Sequence, residues 1–225
     1  MCFFNAQNKR ALDIAKRYGR RSDLVEMARE IIEEQKVQKA YLHPDCLIVT
    51  SDNQLQTAKW GLIPFWVRNV EQAESIRNMT ANAQSETAAA LPSFREAMKK
   101  RRCLIPSTGF YEYHHIEKEA IPYRIFLRDT EVFSLAGIYD EWRNPVTQKI
   151  ERTFSVLTVP ANELCQFIHN GGRHPGRMPA ILPISNEEKW LTPDLTVDDV
   201  HSLLIAYDTS LMDACALEKD FLRRA

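Results

Sequence analysis

The 225-residue sequence has no Cys-x-x-Cys pair, and its five cysteines (Cys2, Cys46, Cys103, Cys165 and Cys215) are an odd number. That count and spacing fit neither a zinc knuckle nor a closed disulfide framework. Reduced thiols in a cytoplasmic protein fit better. His114-His115 has no second ligand pair at metal spacing, so no metal is expected. The opening, Met-Cys-Phe-Phe-Asn, lacks the basic stretch and apolar run of an export signal. No apolar run reaches membrane-spanning length, so no membrane location is expected. Positive charge is not in excess either, since the formal net charge is −1. Proteins that merely coat phosphate are usually basic, so any nucleic-acid contacts here must come from locally concentrated cations. There is no internal repeat, low-complexity segment or linker-like shift in composition, and residues 1–225 read as one domain.

What is present is an ordinary folding composition, 44% hydrophobic and 26% charged. Residues 8–36 read as helix, broken at Gly19 and recapped by Ser22-Asp23. Cys46 to Ser51 is β-prone, Asp52-Asn53 is a turn, and Thr57 to Trp60 is its hairpin partner. A short helix is expected over 92–100. Strands then follow at 103–106, 109–114, 123–128, 132–142 and 153–159. Helices are expected at 161–168, 187–191 and 197–206, with a loop over 171–176. Short connections favour antiparallel pairing, and the lack of βαβ regularity makes the class α+β.

Five features carry chemistry. Removal of Met1 would expose Cys2 with an amine and a thiol on adjacent carbons, both partly deprotonated near neutrality. Such a residue can form an imine with an aldehyde and close it to a thiazolidine, since both groups share one residue. Glu112 lies in the aromatic run Gly109-Phe-Tyr-Glu-Tyr, where apolar surroundings disfavour its ionised form and suit a general acid or base. His169 ends a helical stretch before a Gly-rich loop. Asn82 offers a neutral amide able to orient a nucleophile. Trp60 and Trp66 flank a Gly-Pro segment, and indoles serve cores more often than they stack on bases. The basic run 99–102 reads as a helix end or as a phosphate contact.

The chain resembles the SOS response-associated peptidase family of abasic-site processing proteins. The matches are Met1-Cys2, Trp60-Gly-Leu-Ile-Pro, Asn82-Ala-x-x-Glu-Thr, Arg102-Cys-Leu-Ile-Pro, Gly109-Phe-Tyr-Glu112-Tyr, Ala136-Gly-Ile-Tyr-Asp-Glu-Trp142, Leu157-Thr158 and Arg177-Met-Pro-Ala-Ile-Leu, in that order. The resemblance implies an α+β fold, a distorted antiparallel β-barrel with surrounding helices. It implies single-stranded DNA containing abasic sites as partner, in a DNA-damage (SOS) response. Cys2 would cross-link covalently to the sugar aldehyde, with Asn82 positioning its backbone and amine. Glu112 would act as acid and base, and His169 would open the sugar and shuttle protons. Trp66, Arg95, Thr158 and Arg177 would contact the DNA. No cofactor is implied. The expected protein is a monomer, cytoplasmic and gathered to the nucleoid on damage.

The sequence also departs from the family pattern. Phe3 and Phe4 stand where members carry Gly-Arg after the cysteine, and Gln84 stands for an arginine. Val67 replaces a second Trp, and residues 170–176 separate His169 from Arg177, which leaves His174 as a competing histidine. Arg95 and the run at 99–102 are candidate replacements for the missing cations. Capture and lyase cleavage share one imine and stay open. A cysteine-dependent (auto)peptidase, a hydrolase of the protease type, is a second reading, and a non-catalytic single-stranded DNA-binding module a third.

Overall fold

The computed structural model describes residues 2–22, 37–172, 174–193 and 195–225. In chain order they form β1 (Phe4–Ala6), α1 (Ala11–Arg17), β2 (Gln38–Lys39), β3 (Asp45–Val49), β4 (Leu55–Trp60), α2 (Val70–Arg77), β5 (Asn82–Gln84), α3 (Ser85–Ala88), α4 (Arg95–Lys100), β6 (Arg102–Ser107), β7 (Gly109–Ile116), β8 (Glu119–Leu127), β9 (Phe133–Arg143), β10 (Ile150–Pro160), α5 (Glu163–Ile168), β11 (Arg177–Pro179), β12 (Ile181–Leu182), α6 (Ile184–Leu191), α7 (Val197–Leu203), β13 (Met212–Ala216) and α8 (Phe221–Arg224). The helix expected at 8–36 survives as α1, which stops before Gly19 at φ +59°; the part over 23–36 lies outside the described residues.

Five strands close on themselves: β10 pairs β4, then β3, β6 and β9 follow, and β9 returns to β10. The β-branched and aromatic residues expected to form strands fill this barrel, with Phe154, Val156, Leu104, Leu135, Ile138, Leu47 and Trp60 all in one buried cluster. β11 and β12 extend the sheet, and β5 pairs β10. The barrel is not wholly antiparallel, because β10 runs parallel to both β4 and β5. The hairpin-length connections that favoured antiparallel pairing do not join these strands. The long chain between them gives the room a parallel crossover needs.

A second sheet, all antiparallel, has the order β13-β8-β7-β1-β2. The chain passes from barrel to sheet at Ser107-Thr108-Gly109, between β6 and β7. Buried amides fasten β1 at this crossing. The Ser107 hydroxyl donates to Asn5 Oδ1 at 2.7 Å, Asn5 Nδ2 donates to Gln38 Oε1 at 3.2 Å, and Gln38 Nε2 donates to Gln7 Oε1 at 2.9 Å. Gln7 also exchanges two hydrogen bonds with the Leu47 backbone in β3. All four side chains are buried, so each hydrogen bond removes a desolvation penalty.

α2 was not expected from the sequence. Only Ala73 and Arg77 of its eight residues are buried, so its apolar periodicity is faint. Its signal is Asn69, whose side chain caps the helix by accepting from the Gln72 N–H at 2.7 Å. Gly61, after the barrel strand β4, has φ +113°, and a Cβ there would sit 2.9 Å from the Arg77 carbonyl oxygen. Gly61→Ala is therefore expected to lower stability by about 2–3 kcal/mol, read as a lower denaturation midpoint at unchanged slope.

Candidate active site

Six of the residues singled out from the sequence meet where the two sheets join. Cys2 leads into β1, and Glu112 lies on β7, which pairs with β1 through Phe4 opposite Tyr111. From the barrel side come Asn82 on β5, Thr158 on β10 and Arg177 on β11, with Val156 opposite Asn82 and Pro160 opposite Arg177. His169 caps the C-terminus of α5.

Contacts link them in a chain. Asn82 Nδ2 donates to the Cys2 carbonyl at 2.9 Å, and its Oδ1 is buried with no hydrogen-bond partner among the described residues. Cys2 itself is 0% exposed. Burial first, and then the Glu112 carboxylate, push its thiol far above the ordinary value. Burial also pushes the Glu112 carboxyl up to about 8. His169 Nε2 lies 3.9 Å from Glu112 Oε2, and both side chains are buried. His169 Nδ1 is 3.0 Å from the Arg177 carbonyl oxygen. A carbonyl only accepts, so Nδ1 carries the hydrogen. In the neutral ring Nε2 then turns its lone pair toward Glu112. The 3.9 Å separation is longer than a hydrogen bond, and a small side-chain movement would let the two groups share a proton.

The seven residues between His169 and Arg177 do not pull these two apart. The Gly176 N–H donates to the His169 carbonyl at 3.1 Å, so the loop returns to its starting point. Asn170 docks it on β7, accepting the His115 N–H at 2.8 Å and donating to the His115 carbonyl at 3.0 Å. His174 is exposed on this loop, with φ +51°. His169 is thus the histidine that the structure places beside Glu112.

Arg177 is engaged. Its guanidinium grips Glu86 at 2.6 and 2.9 Å and donates to the Thr158 hydroxyl at 3.2 Å. Hydrogen bonding from Arg177 holds the Glu86 carboxyl below its ordinary value. Thr158 is fully buried and donates to the Ala83 carbonyl at 3.4 Å.

Trp66 and Arg95 stand apart from this chain of contacts. Trp66 is half-buried against the small cluster of Ile63, Val67, Ala73 and Trp142, with Nε1 donating to the Pro92 carbonyl at 3.4 Å. Arg95 is exposed at the start of α4. Trp60, Trp142 and Trp190 are core residues. The basic run at 99–102 does not form one exposed patch. Arg102 is 4% exposed and donates to the carbonyls of Met98, Lys99 and Trp190 at 2.6, 3.0 and 2.9 Å, capping α4 and α6. Arg101 lies 3.1 Å from the buried Asp140 and over the Phe65 ring. Of the two readings of the run, the helix end describes Arg102, though buried rather than solvated, because a guanidinium can satisfy several helix-end carbonyls at once, while Arg101 is drawn to a buried carboxylate.

The sequence reading missed two members of the site. Glu86 was only a letter in the Asn82-Ala-x-x-Glu-Thr match, although it holds Arg177. Cys165 lies on α5, and burial and then Glu112 push its thiol up to about 12. The Asn162 cap, which accepts the Cys165 N–H at 2.9 Å, was the available sign that α5 starts in register to bring Cys165 inward.

The chain is similar to known proteins in sequence and in fold. The family model described as SOS response associated peptidase (SRAP) matches residues 1–221. The abasic site processing protein YoqW of Bacillus subtilis is 39% identical over 166 residues, covering 73% of this chain and 69% of YoqW. The abasic site processing protein HMCES of Gallus gallus is 29% identical over 162 residues, covering 63% of this chain and 46% of HMCES. A crystal structure of a protein from Bacteroides thetaiotaomicron matches with a TM-score of 0.96 at 45% identity, covering 100% of this chain and 95% of that one.

Proposed function

The chain belongs to the SOS response-associated peptidase family, and from that premise we propose that it captures abasic sites in single-stranded DNA by a covalent bond to Cys2 after Met1 has been removed. The observation that carries this reading is the convergence of Cys2, Asn82, Glu112 and His169 from two sheets and a helix end onto one buried seam. Cys2 is 0% exposed in the chain that carries Met1, so it has to be uncovered before a strand can react with it.

The chemistry balances with one water released. His169 Nε2 takes the proton of the sugar's anomeric hydroxyl, the bond from that carbon to the ring oxygen breaks to give the aldehyde, and the imidazolium returns the proton to the freed ring oxygen. The Cys2 amine adds to the aldehyde carbon. Glu112, protonated below about 8, gives its proton to the departing hydroxyl, and the imine forms. The thiol then adds across the carbon–nitrogen bond. Sulfur bonds to carbon, and the thiol proton passes through Glu112 to nitrogen, closing the thiazolidine. Asn82 holds the Cys2 carbonyl and so fixes the direction in which the amine points. No metal or organic cofactor enters these steps.

The test is incubation of the wild-type protein with a single-stranded abasic oligonucleotide, followed by a denaturing gel and intact-mass measurement. The expected product survives denaturation and weighs the sum of Met1-free protein and strand less one water. If no such product forms, or if Met1 is retained in the product, the reading fails.

Arg177 is the phosphate contact in this reading, and Glu86 competes for it. Glu86→Gln is expected to tighten binding of single strands about three- to fivefold, in keeping with an ion pair whose carboxylate is half exposed, and less at high salt. Fluorescence anisotropy at two salt concentrations checks it.

A further inference from the structure

Along β7 the side chains alternate, so Glu112 faces the seam while Tyr111, Tyr113 and His115 face the other side of the five-stranded sheet. Part of that outer face is covered: Tyr111 is buried beneath Phe221 of α8, with ring centroids 5.8 Å apart. Beyond this cover the face is open, aromatic and basic. The Tyr113 ring meets Phe4 edge-on at 6.1 Å, and Phe4 meets Tyr41 in the same way at 6.1 Å. Tyr41 is 56% exposed. Lys39 lies opposite Phe4 in the β1–β2 register and hence on this face. Lys118, Lys219 and Arg223 line a cavity of about 370 Å³ together with Tyr113 and His115.

Two carboxylates share the surface. Glu119 accepts from Lys219 at 2.9 Å, and Asp220 lies 3.9 Å from Arg223. All four of these side chains are at least 61% exposed, so the pairs are weak and open to exchange with a phosphate. The surface lies on the opposite face of the sheet from the seam, but its residues are near the nucleophile along the chain. Tyr113 follows Glu112 directly, and Phe4 lies two residues after Cys2, roughly 7 Å along an extended chain.

We propose that this face is a second stretch of the DNA path, a subsite for nucleotides flanking the lesion, where Tyr41 and Tyr113 stack on bases and Lys39, Lys118, Lys219 and Arg223 hold phosphates. It rests on the reading of the seam as a site for single-stranded DNA. It supplies local positive charge to a chain of net charge −1 whose residues 3, 4 and 84 are Phe, Phe and Gln. Alternating rings and cations are what a sequence-tolerant single-strand groove requires.

The test compares wild type with the triple variant K118A/K219A/R223A, on strands of about 6 and about 20 nucleotides with a central abasic site or none. Three lost phosphate contacts are expected to weaken binding of the long strand about tenfold and to make its salt dependence shallower by about 2 in the log–log slope. The short strand should bind equally well to both proteins, and covalent capture at saturating protein should reach the same end point. Equal affinity of both proteins for the long strand, at every salt concentration, overturns the subsite and leaves capture standing. A wild type that neither binds nor captures either strand overturns both.

Discussion

Cys2→Ala is expected to lose more than about 100-fold of the denaturation-stable product while keeping a product that borohydride can trap. Alanine at this position still presents a terminal amine once Met1 is removed, so the imine still forms. What disappears is the neighbouring thiol, whose ring closure draws on the high effective concentration of a group held on the next carbon. The open imine hydrolyses or eliminates the 3′ phosphate, so the variant should also nick the strand. A denaturing gel run with and without borohydride separates the two steps. If neither lane shows a product, the amine is not the first nucleophile. If both lanes match wild type, the thiol is not the second.

Glu112→Gln has two opposite expected effects. The rate of capture should fall roughly 100-fold, the usual loss when a positioned general acid–base group is removed. Its pH profile should also lose the limb set by a group near 8, leaving the dependence on the terminal amine. Stability should move the other way. The folded value of Glu112 lies above its ordinary 4.5, so between 4.5 and about 8 the folded chain keeps a proton that the unfolded chain has released. The stability tied to the neutral carboxyl is fully present below 4.5 and is lost as pH rises through about 8. An amide pays no such penalty. Glu112→Gln should therefore exceed wild type in stability above pH 8, by on the order of 3 kcal/mol, with the gain vanishing toward pH 4.5. Denaturation midpoints at three pH values check this. A gain that is the same at all three would mean that the carboxyl is not held neutral by burial.

The parts of this molecule that could be read from its sequence are those whose signal is local. The β-branched and aromatic runs at 103–106, 109–114, 132–142 and 153–159 appear as β6, β7, β9 and β10 because sheet propensity and burial agree there. Strands β1, β2, β5, β11, β12 and β13 are five residues or fewer. Such segments carry too little periodicity to be told from loop, and tertiary partners alone make them strands. β5 shows this well: Asn82-Ala-Gln reads as a polar cap, and it becomes a strand only because β10 lies beside it. Cys2, Asn82, Glu112 and His169 could be nominated from chemistry and family likeness. Their meeting could not be derived from spacing, since Asn82 and Cys2 are 80 positions apart. The burial of Arg102 could not be read for the same reason, because the carbonyls it caps belong in part to residues 88 to 91 positions further on.

The fastening of β1 sets a timetable. Asn5 waits for Ser107, which is made 102 residues later, and β1 cannot be seated until β7 exists. At translation speeds of about 5–20 residues per second, the first residues hang loose from the ribosome for roughly 5–20 s before their berth is built. The proposed reaction needs Met1 removed, and an enzyme that trims it would have that interval to act. Once β1 is seated, Cys2 is buried until something uncovers it.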